Sequence, residues 1–184
     1  IAFNGSGRAP LGLSSDWLLS RGIPKITQKS PHSVTIPGAV DAWVQLNNDY
    51  GQLSLADILL PAINFARDGY PITQRVASDF AAGCHVLDID GEAVFLEQGR
   101  PPLMGKRHSQ PALAKTMEHI ASKGRDGFYK GPVADDILAK LRAVGGLHTE
   151  DDFTTAVGEY VTPIKTAFRG YDIWECPPNG QGMI

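Results

Sequence analysis

Arg8 follows a tight glycine turn, Asn4-Gly5-Ser6-Gly7, at the end of a short apolar run, Ile1-Ala2-Phe3. An arginine on a loop at a strand end has a planar fork of donors suited to gripping a carboxylate. The same residue serves equally as one half of a structural salt bridge, and both readings stand at this point. The turn itself is no phosphate cradle. It lacks the third glycine of the dinucleotide spacing and is followed by no Gly-Lys-Ser/Thr. The five histidines, His32, His85, His108, His119 and His148, form no HxH or HxxxH pair, and no Cys/His cluster has zinc spacing. Four of them read as surface or cap residues. No Gly-x-Ser-x-Gly elbow is present. The adjacent acids Asp135-Asp136 and Asp151-Asp152 stand near helix starts. Neighbouring positions face different sides of a helix, so these acids favour the positive end of the helix dipole rather than a shared carboxylate site. The segment Pro177-Pro178-Asn179-Gly180-Gln181-Gly182 is rigid, then flexible. It reads as a plain connection or as backbone brought close to a ligand or a neighbouring subunit.

Composition narrows the function classes. The chain has 184 residues, 42% hydrophobic and 20% charged, with a net charge of -3. That is globular composition with enough length to bury a core. The slight negative charge provides no basic field for nucleic acid and no polybasic membrane patch. No apolar run reaches the length of a membrane span. Cys84 and Cys176 are too few for a disulfide framework and read as two unpaired, partly buried thiols. Both ends are apolar, Ile1-Ala2-Phe3 and Gly182-Met183-Ile184. They read as cuts through ordered structure, so the chain is expected to be an internal piece of a larger protein.

The elements that position these groups are mostly helices. Ser14-Ser15-Asp16 caps a short helix through Leu19. Val34 to Ile36 is an extended run broken by Pro37-Gly38. Ala39 to Tyr50 has helical periodicity, with Val40, Trp43, Val44 and Leu46 apolar. Leu55 to Asp68 follows a cap at Ser54 and stops at Gly69, with an expected kink at Pro61. Thr73 to Ala82, Pro111 to Lys123 and Pro132 to Val144 are further helices. Thr149 opens a short one, and residues 86–108 are less regular. From Tyr160 to Phe168 the period becomes two, which predicts a strand. Arg169-Gly170 then turns the chain into a second strand, Tyr171 to Cys176. The fold class expected is a mainly helical lobe flanked by strands. Its division is a strand and substrate loop over 1–10, a helical lobe over 11–157, and a hairpin and loop over 158–184.

An ordered set of motifs resembles the gamma-glutamyltranspeptidase family. Ser33-Val-Thr-Ile-Pro-Gly-Ala-Val-Asp-Ala-Trp43 is similar to its V-P-G segment. Leu59-Leu-Pro-Ala-Ile-Asn-Phe-Ala-Arg-Asp-Gly-Tyr-Pro71 resembles its L-x-P-A-I helix. Phe128-Tyr-Lys-Gly131, Gly145-Gly146 and Thr149-x-x-Asp152 follow in the family's order. Arg169-Gly170-Tyr171 and the Pro177–Gly182 loop close the set. Each motif alone is weak, but their order and spacing agree over nearly the whole chain.

This resemblance implies a fragment of an α/β four-layer (αββα) Ntn-hydrolase fold, taken from the middle of the large subunit of a proenzyme. A self-cleaved small subunit is the implied partner, and its N-terminal Thr is the implied nucleophile. The implied reaction cleaves gamma-glutamyl or related small amides by an acyl-enzyme passed to water or to an amine. No cofactor and no metal are implied, no catalytic residue falls in 1–184, and the fragment alone is expected to be inactive. Nucleic acid and membrane are not expected partners. The family is often periplasmic or extracellular, and the sequence itself points to no compartment. The family's first strand usually ends in Arg-Glu-x-Ala-Pro, whose Arg binds the glutamate alpha-carboxylate. Here Ala9-Pro10 align with that ending, which puts Ser6 at the Arg position and Arg8 two residues away, about 7 Å along a strand. Ser6, Gly7 and Arg8 are therefore the expected substrate-binding residues. The departure points to an alternative, an acylase or small-amide amidohydrolase without gamma-glutamyl specificity. A non-enzymatic helical interaction module is the remaining alternative.

Overall fold

The computed structural model describes residues 1–180 and 182; Gln181, Met183 and Ile184, which the closing motif and chain end include, lie outside the described residues. In chain order the helices are α1 (Ser15–Ser20), α2 (Ala39–Tyr50), α3 (Leu55–Asp68), α4 (Gln74–Gly83), α5 (Ile89–Phe95), α6 (Pro111–Lys123), α7 (Asp126–Tyr129), α8 (Pro132–Ala143) and α9 (Glu150–Thr155). The strands are β1 (Ala2–Asn4), β2 (Tyr70–Pro71), β3 (Arg107–His108), β4 (Glu159–Val161), β5 (Ile164–Phe168) and β6 (Tyr171–Glu175). The chain divides into two units, residues 1–54 with 123–184, and residues 55–122. This division follows contacts in space, and so it takes the middle of the 11–157 stretch apart from its two ends.

In the unit formed by 1–54 and 123–184, the core gathers Ile36, Val40, Tyr129, Leu138, Leu141 and Phe153. Burying each large apolar side chain contributes about 1.5–3 kcal/mol. Ala134, Leu138 and Leu141 form one stripe of α8, as the helical period requires. Helix ends are closed by side chains read from the sequence. Ser14 Oγ accepts from Trp17 N at 3.1 Å. Thr149 and Asp152 make a reciprocal capping box on α9. β1 pairs antiparallel with β4, with Phe3 opposite Tyr160 and Asn4 opposite Glu159.

The strand expected over Tyr160 to Phe168 is two strands. Pro163 has no N–H to donate and a fixed φ, so the ladder stops there. β4 goes to β1, and β5 goes to β6. Arg169 and Gly170 take φ of 51° and 84°, the left-handed pair that a two-residue hairpin turn needs. Trp43 and Leu46, apolar in the α2 pattern, stay substantially exposed.

In the unit formed by 55–122, Leu59, Ile63 and Ala66 give α3 its buried stripe, and the helix continues through Pro61. Gln110 N donates to Ala66 O at 2.7 Å and ties α6 to α3. Within 86–108 lies α5, capped by Asp88 Oδ1 on Gly91 N at 2.8 Å. Gly91 inside so short a helix hides its period. His108 is buried, edge-on to Phe80 at 5.4 Å. His148, in the other unit, is buried as well. Two of the five histidines are thus interior, each with its Nε2 met: Gln110 Nε2 lies 3.2 Å from His108 Nε2, and Val34 O lies 2.9 Å from His148 Nε2. A carbonyl only accepts, so His148 Nε2 carries the proton. Cys84 and Cys176 are free and partly buried. No helix among the described residues is long and apolar enough to cross a membrane.

The first unit also buries an ion pair. Asp41, in the first turn of α2, is 1% exposed. Its Oδ1 accepts from Arg125 Nε at 2.7 Å. Its Oδ2 accepts from Gly158 N at 2.7 Å and Gln45 Nε2 at 2.5 Å. Arg125 Nη2 donates to Phe153 O, Thr154 O and Ala156 O, the carbonyls that end α9. The guanidinium stacks on Tyr129, 4.5 Å from the ring centre. Tyr129 Oη donates to Pro37 O at 2.6 Å, and burial pushes its phenol up. Removing Arg125 leaves a buried charge without its counterpart. Arg125→Ala is expected to cost about 3–5 kcal/mol in the full-length protein, read from the urea midpoint. Arg75→Ala, at an exposed pair with Asp79, is expected to leave that midpoint in place.

Candidate functional site

The loop after β1 is built by backbone packed on backbone. Ser6 N donates to Asn4 Oδ1 at 3.1 Å, which closes the turn. Ile36 N donates to Arg8 O at 2.9 Å. Between these bonds the loop lies directly on the Ile36–Gly38 segment that leads into α2. A Cβ at Gly7 would stand 1.4 Å from Ile36 O, and one at Gly38 would stand 2.1 Å from Gly5 O. Neither neighbour is a movable side-chain tip, so both positions require glycine for close approach.

Arg8 turns back from this loop onto α9. Its Nη1 donates to Asp152 Oδ1 at 2.8 Å and to Ala9 O at 3.0 Å, and its Nη2 donates to Thr155 Oγ1 at 3.0 Å. Asp152 is fully buried. Leu11 N reaches the same Oδ1 at 2.9 Å, and Oδ2 accepts from Thr149 N and Oγ1 at 3.0 and 2.8 Å. Burial alone would raise the carboxyl, but the donors from Leu11, Arg8 and Thr149 outweigh it and hold Asp152 at about 2. Asp152 therefore anchors the loop, caps its own helix and neutralises Arg8. Two of the five guanidinium donors keep no protein acceptor among the described residues.

These pieces enclose a cavity of about 280 Å³. Its walls are Asn4 with the loop Ser6–Arg8, Gly38, the segment Ala156–Glu159, and Asn179. Asn4 Nδ2 donates to Asn179 Oδ1 at 3.4 Å, bringing the Pro177 loop to the end of β1. All three residues singled out from the sequence, Ser6, Gly7 and Arg8, reach this cavity. Gly7 does so by shape and Ser6 with an exposed side chain. Of the two readings open for Arg8, the structure shows the salt bridge: one donor meets Asp152, and two more meet Ala9 O and Thr155 Oγ1.

Sequence reasoning passed over Asp41, Arg125 and Glu159. Asp41 sits where acids ordinarily favour a helix dipole, so its burial left no local mark. One signal was present: Gly38 caps α2 without a side chain, so the acid in that first turn has another task. Asp152 appeared as a motif position and as a helix-start acid, and its partner Arg8 lies 144 residues away in sequence. No group of three or more His, Cys, Asp or Glu suited to a metal occurs among the described residues.

Comparison with known proteins gives a match of residues 1–184 to the family model described as Gamma-glutamyltranspeptidase. The chain is 36% identical to the Glutathione hydrolase-like YwrD proenzyme of Bacillus subtilis (strain 168), over 98% of this chain and 35% of that protein. It is 34% identical to the Glutathione hydrolase proenzyme of Escherichia coli (strain K12), over 80% of this chain and 26% of that protein. Among solved structures, the cephalosporin acylase from Bacillus halodurans superposes with a TM-score of 0.90 at 36% identity, covering 98% of this chain and 35% of that one. The chain thus spans about a third or less of the length of these relatives.

Asp152 also sets an acid limit on the loop. A carboxyl held below its unfolded value stabilises the fold above the unfolded pKa, near 4. That stability is lost as pH falls from there through about 2. Asp152→Asn is expected to lower stability by about 2 kcal/mol at pH 7 and to differ little from the parent near pH 2. Urea titrations of the full-length protein at both pH values measure it.

Proposed function

This chain belongs to the gamma-glutamyltranspeptidase family, and from that membership we propose that the protein containing it hydrolyses gamma-glutamyl or related small amides, or passes their acyl group to an amine. In this reading the nucleophile is an N-terminal Thr on a small subunit released from the same proenzyme, with its own amine as base. The carbonyl carbon is attacked, the amine leaves with a proton, and water or an acceptor amine resolves the acyl-enzyme. Residues 1–184 supply no nucleophile and are inactive alone. They supply the loop Ser6–Arg8 at the end of β1 and the cavity it borders, and that placement carries the proposal. The completed fold is a four-layer αββα sandwich. Its remaining sheet material would cover the exposed apolar positions of β6, Ile173 and Trp174.

A specific observation favours the acylase or small-amide amidohydrolase form of this reading. Ser6 stands where the resemblance places a carboxylate-binding arginine, and Arg8 is already neutralised by buried Asp152. A substrate alpha-carboxylate then meets no unpaired cation in the cavity. The similarity to a protein named a cephalosporin acylase is consistent with this.

Full-length, processed protein assayed on p-nitroanilides tests the reaction and its preference. N-terminal sequencing of the smaller product should begin at Thr. Gamma-glutamyl and 4-aminobutyryl p-nitroanilide, which differ by the alpha-carboxylate, should be cleaved with kcat/KM values within about threefold. A preference for gamma-glutamyl of about 100-fold or more would mean that an arginine does grip the carboxylate. A processed protein that cleaves no amide sinks the enzymatic reading.

A further inference from the structure

The cavity at the end of β1 has two ionisable side chains in its walls, Arg8 and Glu159. Their situations are opposite. The positive charge of Arg8 is matched at 2.8 Å by the carboxylate of Asp152, which is itself 0% exposed. Glu159 opens β4 opposite Asn4, and its side chain is exposed. Among the described residues it has no hydrogen-bond or ion-pair partner. The remaining walls are neutral: Asn4, Ser6, Asn179 and short apolar or glycine positions. Asn4 is engaged with Ser6 N and with Asn179. The uncompensated charge in the cavity is therefore a single negative one, on a group that only accepts hydrogen bonds.

We propose that Glu159 is the specificity-determining residue of this cavity and that it receives a primary ammonium group of the substrate. The proposal rests on the amide hydrolase or acyltransferase reading for the reaction, but not for the binding event. A charged acceptor holding an ammonium forms a charge-assisted hydrogen bond, and a carboxylate in the same place is repelled. The wall that carries Glu159 is fixed from behind. Gly158 N is bound by Asp41, and Ala156 O by Arg125, so the carboxylate stands on a positioned strand start and not on a loose loop. The ammonium can come from the acyl part of the donor or from the amine that accepts the acyl group.

The test uses full-length, processed protein, wild type and Glu159→Gln, which keeps the shape and removes the charge. On 4-aminobutyryl p-nitroanilide the variant should raise KM by about tenfold with kcat little changed. On glutaryl p-nitroanilide, of similar length but ending in a carboxylate, the same variant should lower KM. The opposite directions separate a charge effect from a structural one. A KM that rises only for the acceptor glycylglycine, in the transfer reaction, places the ammonium on the acceptor and supports the same residue. Shifts in one direction for all ligands, or changes below about twofold throughout, overturn the proposal. If the wild-type protein cleaves none of these anilides, the proposed reaction fails. Calorimetric titration with 4-aminobutyramide and glutaramate then decides Glu159 by the same crossing of affinities.

Discussion

A carboxylate sealed in the first turn of a helix has to be neutralised where it stands, and at Asp41 that need organises the surrounding chain. Arg125 answers it, and the same guanidinium collects the carbonyls at the end of α9. Positive charge at a helix C-terminus is favourable in its own right. Asp41 in turn holds Gly158 N. One ion pair thereby connects three stretches distant in sequence: the start of α2, the turn before α7, and the passage from α9 into β4. At the other end of α9, Asp152 holds Arg8 and Leu11. The helix is only six residues long and could not persist from its own hydrogen bonds. It stays because an arginine engages each of its ends.

The local rules of helix formation were readable. α2, α3 and α6 begin and end where periodicity, proline and glycine placed them. Ser14, Thr73 and Thr149 cap as short polar side chains do. What escaped were features that depend on a partner elsewhere. The alternation from Tyr160 to Phe168 was a true strand signal, but Pro163 divides it between two different partners. α5 carries a glycine and only seven residues, too little for a period to show. His148 is interior with its Nε2 on Val34 O, far away in sequence, while His108 Nε2 meets Gln110 two residues on, and neither partner is marked in the sequence.

The site shows the same limit more sharply. Ser6, Gly7 and Arg8 do converge on one cavity, as a loop at a strand end should. The electrostatic character of that cavity was not legible, because it is set by Asp152, far along the chain, and by Glu159, an ordinary exposed acid at a strand start. An arginine's usefulness to a ligand depends on what it already holds. Residue type alone cannot report that, and spacing along the chain cannot either.

The close approach of Gly7 and Gly38 bears on how this pocket can be altered. Any side chain there collides with backbone, so these two wall positions are closed to variation, whatever ligand is wanted. Among the other walls, Ser6 and Glu159 carry exposed side chains, and Arg8 can change so long as Asp152 changes with it. A mutational library for a new substrate therefore keeps Gly7 and Gly38 fixed. Breadth spent on those two glycines is lost to backbone collision and belongs on the side-chain positions of the wall.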